Sequence, residues 1–340
     1  MSLLGSVNEN SFFFFQERTD AFGIQCKRPP YSYEVFLTKT DDDFLYYTGL
    51  SKTNFEILYE FLGGDAVCKK LKYRFAQRTP RKERESEHTA KDKLFITLLR
   101  LRRGLSLKDL VLLFGLSEAT LSTIFYTWVR HMSLQFKALE KWTFISAEKQ
   151  MHDVPDCYKA FPNLRVIVDC TNINIQSAEN FAQQSNTYST YYGGTVVKVL
   201  VGTNKYGGLA FISDAAEGNI TDRKLFLKSG IMNYLLAGEA VMCDKGFSIE
   251  ADLNAIGVEI LIPAFLGKRT EFTARELLLN KAISASRIHV ERFIKMMKDF
   301  KIIRYQVPNT LLDIVSDIVR VCANLVNFNE PFLRWTHPQN

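Results

Sequence analysis

The chain has 340 residues and a mass of 39.0 kDa, and 46% of its residues are hydrophobic. That is enough for one large or two ordinary domains with a real core, and it excludes disorder throughout. Lys and Arg (43) exceed Asp and Glu (37), giving a formal charge of +6 and a pI near 8.9, a mild bias toward an anionic partner. No apolar run approaches the ~20 residues of a membrane-spanning helix, so a soluble chain with no membrane partner is expected. Phe12 to Phe15 follow Asn8, Glu9 and Asn10 instead of a basic start, which predicts a buried or partner-covered anchor and not a secretory signal. The six cysteines show no CxxC pair and no matching His spacing, so free thiols are expected, without a disulfide framework or zinc site.

Residues 1–50 mix aromatics, prolines and the acidic cluster Asp41 to Asp43 without a period, predicting an irregular N-terminal arm. From Ser51 to Leu62, Phe55, Leu58, Tyr59 and Leu62 recur at helical spacing, with Ser51 as N-cap and Gly63-Gly64 as stop. Residues 69–103 hold thirteen Lys/Arg against four acids, a local excess of +9 that is larger than the charge of the whole chain. A solvated linker accounts for such a run as well as a nucleic-acid surface does.

Three apolar stripes follow: Leu94, Thr97, Leu98, Leu101; Leu107, Leu110, Val111, Phe114; and Leu121, Ile124, Phe125, Trp128. Only Gly115-Leu116-Ser117 separates the last two, which predicts a helix-turn-helix with a preceding support helix. A plain tri-helical core has the same pattern. The neighbouring basic excess favours DNA binding, with Arg100, Arg102 and Arg103 attracting phosphate and Ser122, Thr123, Tyr126 and Arg130 on the outer face of the second helix. The helical, basic region is therefore placed at 51–135 and a linker at 136–164.

The second half alternates differently. Residues 165–175, 195–203 and 209–213 are β-rich; a helical stretch 222–236, a strand 240–243, a helix near 248–256 and a strand 258–262 follow. A long helix starts at the capping box Thr273 to Glu276 and runs toward Phe300, with a break conceivable near Asn280. A last apolar helix covers 311–326. This order predicts an α/β domain with a mixed sheet over 165–305, with the C-terminal helix and tail, 306–340, packed on it.

Two acids in this half end hydrophobic strands: Asp169 follows Val166-Ile167-Val168, and Asp244 follows Ala240 to Cys243. Parallel pairing would set them side by side. Glu291 lies on the long helix between Ile288 and Ile294, residues expected to face the sheet. Carboxylates from two strand tips and a covering helix can hold a pair of hard divalent cations, which activate a water or hydroxyl and stabilise both oxygens of an in-line phosphoryl displacement. Any one of these acids is equally an ordinary ion pair or cap; Arg287, at i−4 from Glu291, can simply pair with it.

The segments Val168-Asp-Cys-Thr171, Tyr188-Ser-Thr-Tyr191 leading into Val197 to Gly202, Gly218 to Asp222, Cys243-Asp-Lys-Gly-Phe247 and Arg287 to Arg292 together resemble, in order and spacing, the motifs of PIF/Harbinger-type DDE transposases. The likeness covers residues 94–303 and includes the helix-turn-helix at 105–131. It implies an RNase H-like mixed-sheet nuclease domain preceded by an α-helical helix-turn-helix domain. It also implies catalytic, metal-binding roles for Asp169, Asp244 and Glu291, with two Mg²⁺ or Mn²⁺ ions. Asp222 matches a further family acid, expected to be a structural partner although it is easily mistaken for the second triad member. Lys198, Lys245, Arg287, His289 and Arg292 lie in or beside the motifs, as phosphate contacts, triad orienters or structural residues.

There are departures: Tyr192 stands where relatives often have a basic residue, and the N-terminal zinc domain of some relatives has no Cys/His set here. The activity implied is nicking of DNA at transposon ends and joining of the freed 3′-hydroxyl to target DNA, by a homodimer because two ends need two sites. A Myb-like partner protein and nuclear residence accompany that reading. A domesticated, non-catalytic DNA-binding or scaffold protein and a general metal-dependent nuclease are the rival readings.

Overall fold

In the computed structural model, the described residues are 31–73, 88–150, 154–177, 188–189, 194–264, 266–267 and 269–329. The first half is helical: α1 (Tyr33–Leu37), α2 (Asp41–Thr48), α3 (Lys52–Phe61), α4 (Gly64–Cys68), α5 (Ala90–Arg103), α6 (Leu107–Phe114) and α7 (Glu118–Thr143). The expectation of an irregular arm is corrected over 31–50. Ser32 and Thr40 cap α1 and α2, and Tyr33, Phe36 and Phe44 are buried, Tyr33 stacked on Phe55 at 4.7 Å and Phe36 against Phe95 at 4.6 Å. Helices of 5 and 8 residues are too short to display a period. Phe12 to Phe15 and the basic residues from Arg74 to Arg84 lie outside the described residues.

Helices α5, α6 and α7 begin at Thr89, Ser106 and Ser117, each side-chain oxygen accepting an N–H of the first turn. Gly104 and Gly115 end the first two at positive φ (66° and 67°), where a side chain would be strained. The turn at Gly115 bends α6 against α7 by 105°. Leu94, Thr97, Leu98, Leu101, Leu110, Phe114, Leu121, Ile124, Phe125 and Trp128 are all buried, as the stripes require.

The expected linker at 136–164 is corrected as well. Helix α7 continues to Thr143, and the chain beyond it is tied down: Phe144, Tyr158 and Phe161 are buried, and Arg165 donates to Glu239 (2.7 Å) and to the Phe144 carbonyl (2.6 Å).

The second half comprises β1 (Leu164–Asn174), β2 (Tyr188–Ser189), β3 (Gly194–Thr203), β4 (Leu209–Ile212), β5 (Ala216–Glu217), α8 (Asp222–Lys228), β6 (Ala240–Met242), α9 (Glu250–Asn254), β7 (Glu259–Leu261), α10 (Ala274–Met297, unbroken at Asn280), α11 (Lys301–Arg304) and α12 (Val315–Val326). The main sheet order is β4-β3-β1-β6-β7, with β4, β3 and β1 antiparallel and β1, β6 and β7 parallel; β2 and β5 pair with β3. This is the mixed α/β, RNase H-like sheet.

Both faces of the sheet are covered, which is why its central strands are almost wholly apolar. Ile167, Val199, Val201 and Met242 join a core that also contains α10, α12 and the buried faces of α5 and α7. Val166, Val168, Leu200, Val241 and Cys243 face the core under α8 and α9. The helical half and one sheet face therefore share a single core. Arg320 of α12 strengthens the joint, donating to Ser133 of α7 (3.0 Å) and to Asp214 after β4.

Candidate active site

Strands β1 and β6 run side by side in parallel, with Ile167 opposite Met242. Two residues further along each chain, the same register brings Asp169 level with Asp244 where the strands end. Each carboxylate accepts the N–H of the residue after it, Cys170 (2.8 Å) and Lys245 (2.7 Å). Side chains alternate along a strand, and Val168 and Cys170 belong to the α8 side, so Asp169 points to the opposite face, toward α10.

Helix α10 lies across β1 and β3. It buries Ile283, Ser286, Val290, Phe293 and Met297, and the Ser286 hydroxyl donates to the Cys157 carbonyl (3.0 Å). The expectation that Ile288 faces the sheet is corrected: its position falls outside that stripe and it is 41% exposed, whereas Ile294 does pack against the core. The edge of the helix beside the buried stripe carries Arg287, Glu291 and Lys298.

Their effect is felt at Asp169, whose carboxyl is pushed up to about 6. Burial is the largest cause; the Cys170 N–H and the Arg287 guanidinium oppose it, and the carboxylates of Glu291 and Asp244 reinforce it. Asp169, Asp244 and Glu291 thus face one another electrostatically across β1, β6 and α10. Arg287 does not pair with Glu291 but with Asp244, Nη1 to Oδ1 at 3.3 Å. Lys298 is a member of the cluster that the sequence reading missed: burial holds its ammonium below the usual lysine range and Asp169 partly restores it. The available signal was its spacing, seven residues after Glu291 on the same helix edge.

Asp222 occupies the other side of the sheet. It opens α8, pairs with Lys198 (3.1 Å), which also donates to the Ile220 carbonyl (2.9 Å), and it accepts the Cys170 thiol. One residue of alternation between Asp169 and Cys170 separates Asp222 and Lys198 from Glu291, so both serve as structural partners. His289 is buried against Tyr158, its Nε2 3.6 Å from the Cys157 sulfur, and burial lowers its pKa; its reading as a phosphate contact is corrected. Lys245 and Arg292 are exposed near the site. The backbone of Tyr188 and Ser189 forms β2, while Tyr191 and Tyr192 lie outside the described residues.

Three carboxylates form a donor set suited to a hard cation. As the side chains stand, no group of three His, Cys, Asp or Glu residues among those described is close enough to cage one ion, and Arg287 occupies one of the donors.

The DNA-facing assignments fare unevenly. Arg100 is corrected: it is buried over the Phe125 ring (4.3 Å), with burial lowering its pKa to about 10, so it cannot reach a phosphate. Arg102 stacks on Phe300 (5.4 Å), and Arg103 lies over Tyr46 (3.8 Å) and donates to its hydroxyl. Tyr126 and Arg130 are corrected too, since both bind Asp313 (2.9 and 3.2 Å) and fasten α7 to the nuclease half. Ser122 and Thr123 are half-buried, Thr123 donating to the Ala119 carbonyl (2.9 Å). The surface left open at the turn comprises Lys108, Leu112, Ser117, Glu118 and Ala119.

Residues 168–327 match the family model described as DDE superfamily endonuclease, and residues 89–138 match that described as helix-turn-helix of DDE superfamily endonuclease. No curated protein matches the chain. Among solved structures, a cryo-EM structure of a piggyBac transposase synaptic complex with hairpin DNA aligns with 83% of this chain and 73% of that one, at 10% identity and a TM-score of 0.42. With the helix-turn-helix on α5 to α7 and the carboxylates on the sheet behind it, the chain belongs to the DDE superfamily of transposase-type endonucleases.

Proposed function

We propose that this protein is a metal-dependent DNA endonuclease of the PIF/Harbinger type that nicks DNA at transposon ends and joins the 3′-hydroxyl to target DNA. The observation that carries the proposal is the convergence of Asp169, Asp244 and Glu291, from two strand ends and one covering helix, about a single point. Mg²⁺ or Mn²⁺, bound as a pair by these carboxylates, supplies the positive charge that activates the attacking oxygen and stabilises the leaving one. The chain's own part is positional. The end of β1 holds Asp169 through the Cys170 N–H, the turn after β6 holds Asp244 through the Lys245 N–H, and the anchored face of α10 presents Glu291. Lys245 and Arg292, exposed beside them, are placed to meet DNA phosphates.

Joining two ends requires two such sites, which favours a homodimer, and a DNA substrate favours the nucleus. A Myb-like partner would supply end recognition that the turn of the helix-turn-helix does not.

Cleavage of a plasmid carrying the gene's flanking inverted repeats, in Mg²⁺ or Mn²⁺, tests the proposal. Wild type should cut at the repeat ends, while Glu291→Gln should bind DNA equally and not cut. Equal binding with no cutting by wild type would favour the non-catalytic DNA-binding reading, and cutting without regard to the repeats would favour a general nuclease.

A further inference from the structure

We infer that Arg287 is the resident counter-ion of the carboxylate cluster, its guanidinium standing on Asp244 in the metal-free protein and competing with the cation for that ligand. The inference rests on the assignment of Asp169, Asp244 and Glu291 as cation ligands, and it adds a positioning residue that sets how tightly and when the cation binds.

The geometry is specific. Nη1 of Arg287 is 3.3 Å from Asp244 Oδ1, and the arginine side chain is only 15% exposed although its partner is 57% exposed. The same guanidinium acts on Asp169, and Arg287 stands one helical turn before Glu291, so all three carboxylates surround it. Three acids gathered without a cation repel one another, and a guanidinium is the one side-chain cation that stays charged at every working pH. A hard cation needs the same oxygen lone pairs at about 2.0–2.6 Å. Arg287 and the ion therefore cannot both hold Oδ1 of Asp244.

The arginine's present place is also incompletely satisfied, since its Nε is buried with no hydrogen-bond partner. A group that leaves one donor unmet is readily exchanged for a better-matched cation. Once off Asp244, a planar guanidinium is suited to bidentate phosphate recognition, so cation entry and DNA engagement are coupled through this one side chain.

The test is Mn²⁺ binding to the full chain without DNA, followed by the paramagnetic resonance of free Mn²⁺, for wild type, Arg287→Met and Arg287→Lys. The neutral variant should bind Mn²⁺ on the order of five- to tenfold more tightly, the scale of removing one partly screened charge from the site. Its melting temperature without metal should fall, and the rise on adding Mn²⁺ should exceed that of wild type. Arg287→Lys, which keeps the charge, should stay near wild-type affinity. Arg287→Gln replaces the Met variant if that chain does not fold.

Equal or weaker Mn²⁺ binding by the neutral variant would overturn the inference and leave the cation site standing, as would a Lys variant that binds as tightly as the neutral one. Absence of Mn²⁺ binding by wild type and neutral variant alike would overturn the cation assignment itself, and this inference with it.

Discussion

Replacing Asp169 by Asn should stabilise the metal-free protein at neutral pH and leave it nearly unchanged in acid. The folded chain holds this carboxyl at about 6, mainly by burial and then by Glu291 and Asp244, against an ordinary value of 3.8. A folded-state pKa above the unfolded one means that the native state prefers the protonated form. The associated stability is fully present below about pH 4 and is lost as pH rises through about 6. The two-unit difference corresponds to about 3 kcal/mol as an upper limit. Asp169 is only half-buried, so screening by water reduces the expected effect to about 1–2 kcal/mol.

Asn keeps an oxygen for the Cys170 N–H and cannot ionise, so it removes the cost without emptying the space. Urea unfolding of both proteins in chelator, from pH 4.5 to 7.5, gives the difference directly. The gain of Asp169→Asn should grow across pH 4.5–6 and level off by pH 7, and Mg²⁺ should diminish it by stabilising wild type alone. A difference that does not vary with pH would refute the convergence of the three carboxylates.

The buried pair between Arg165 and Glu239, with side chains 7% and 9% exposed, fastens the chain after α7 to the sheet; Arg165→Met should cost about 3–5 kcal/mol in urea unfolding by leaving Glu239 charged and unpaired. Where α7 meets the nuclease half, buried Arg320 should matter more than the exposed Arg130 and Asp313 pair. Asp313→Asn should cost less than about 1 kcal/mol, and Arg320→Met about 2–4 kcal/mol, each read from the same unfolding curves. Gly202→Ala would place a Cβ 2.8 Å from the Val166 side chain and 3.2 Å from that of Phe211; a loss of about 1–3 kcal/mol from overpacking is expected in a thermal melt.

Much of the molecule is legible in local chemistry. The caps at Thr89, Ser106, Ser117 and Thr273, the stops at Gly104 and Gly115 and the stripes of α5 to α7 depend on residues within a turn or two of one another, so their spacing dictates them. The strand tips at Asp169 and Asp244 are likewise visible as acids that end apolar runs. What spacing cannot contain is which side of an element meets which neighbour. Arg100 belongs to a basic cluster in sequence yet is buried on Phe125, and Tyr126 and Arg130 occupy the outer face of α7 only until the segment around Asp313 comes to lie against it.

The same distinction governs the site. Sequence order places Asp222 between Asp169 and Asp244 and offers Arg287 to Glu291, and periodicity alone puts Ile288 toward the sheet. Tertiary structure decides otherwise. Strand alternation sends Cys170 and Asp222 to one face and Asp169 to the other, and α10 settles with Val290 and Phe293 downward, which turns Ile288 out and brings Arg287 to Asp244. Local propensities fix where helices and strands begin and end because they act over a few residues. The pairing of charges across β1, β6 and α10 depends on packing between segments far apart in the chain, and packing has no local signal.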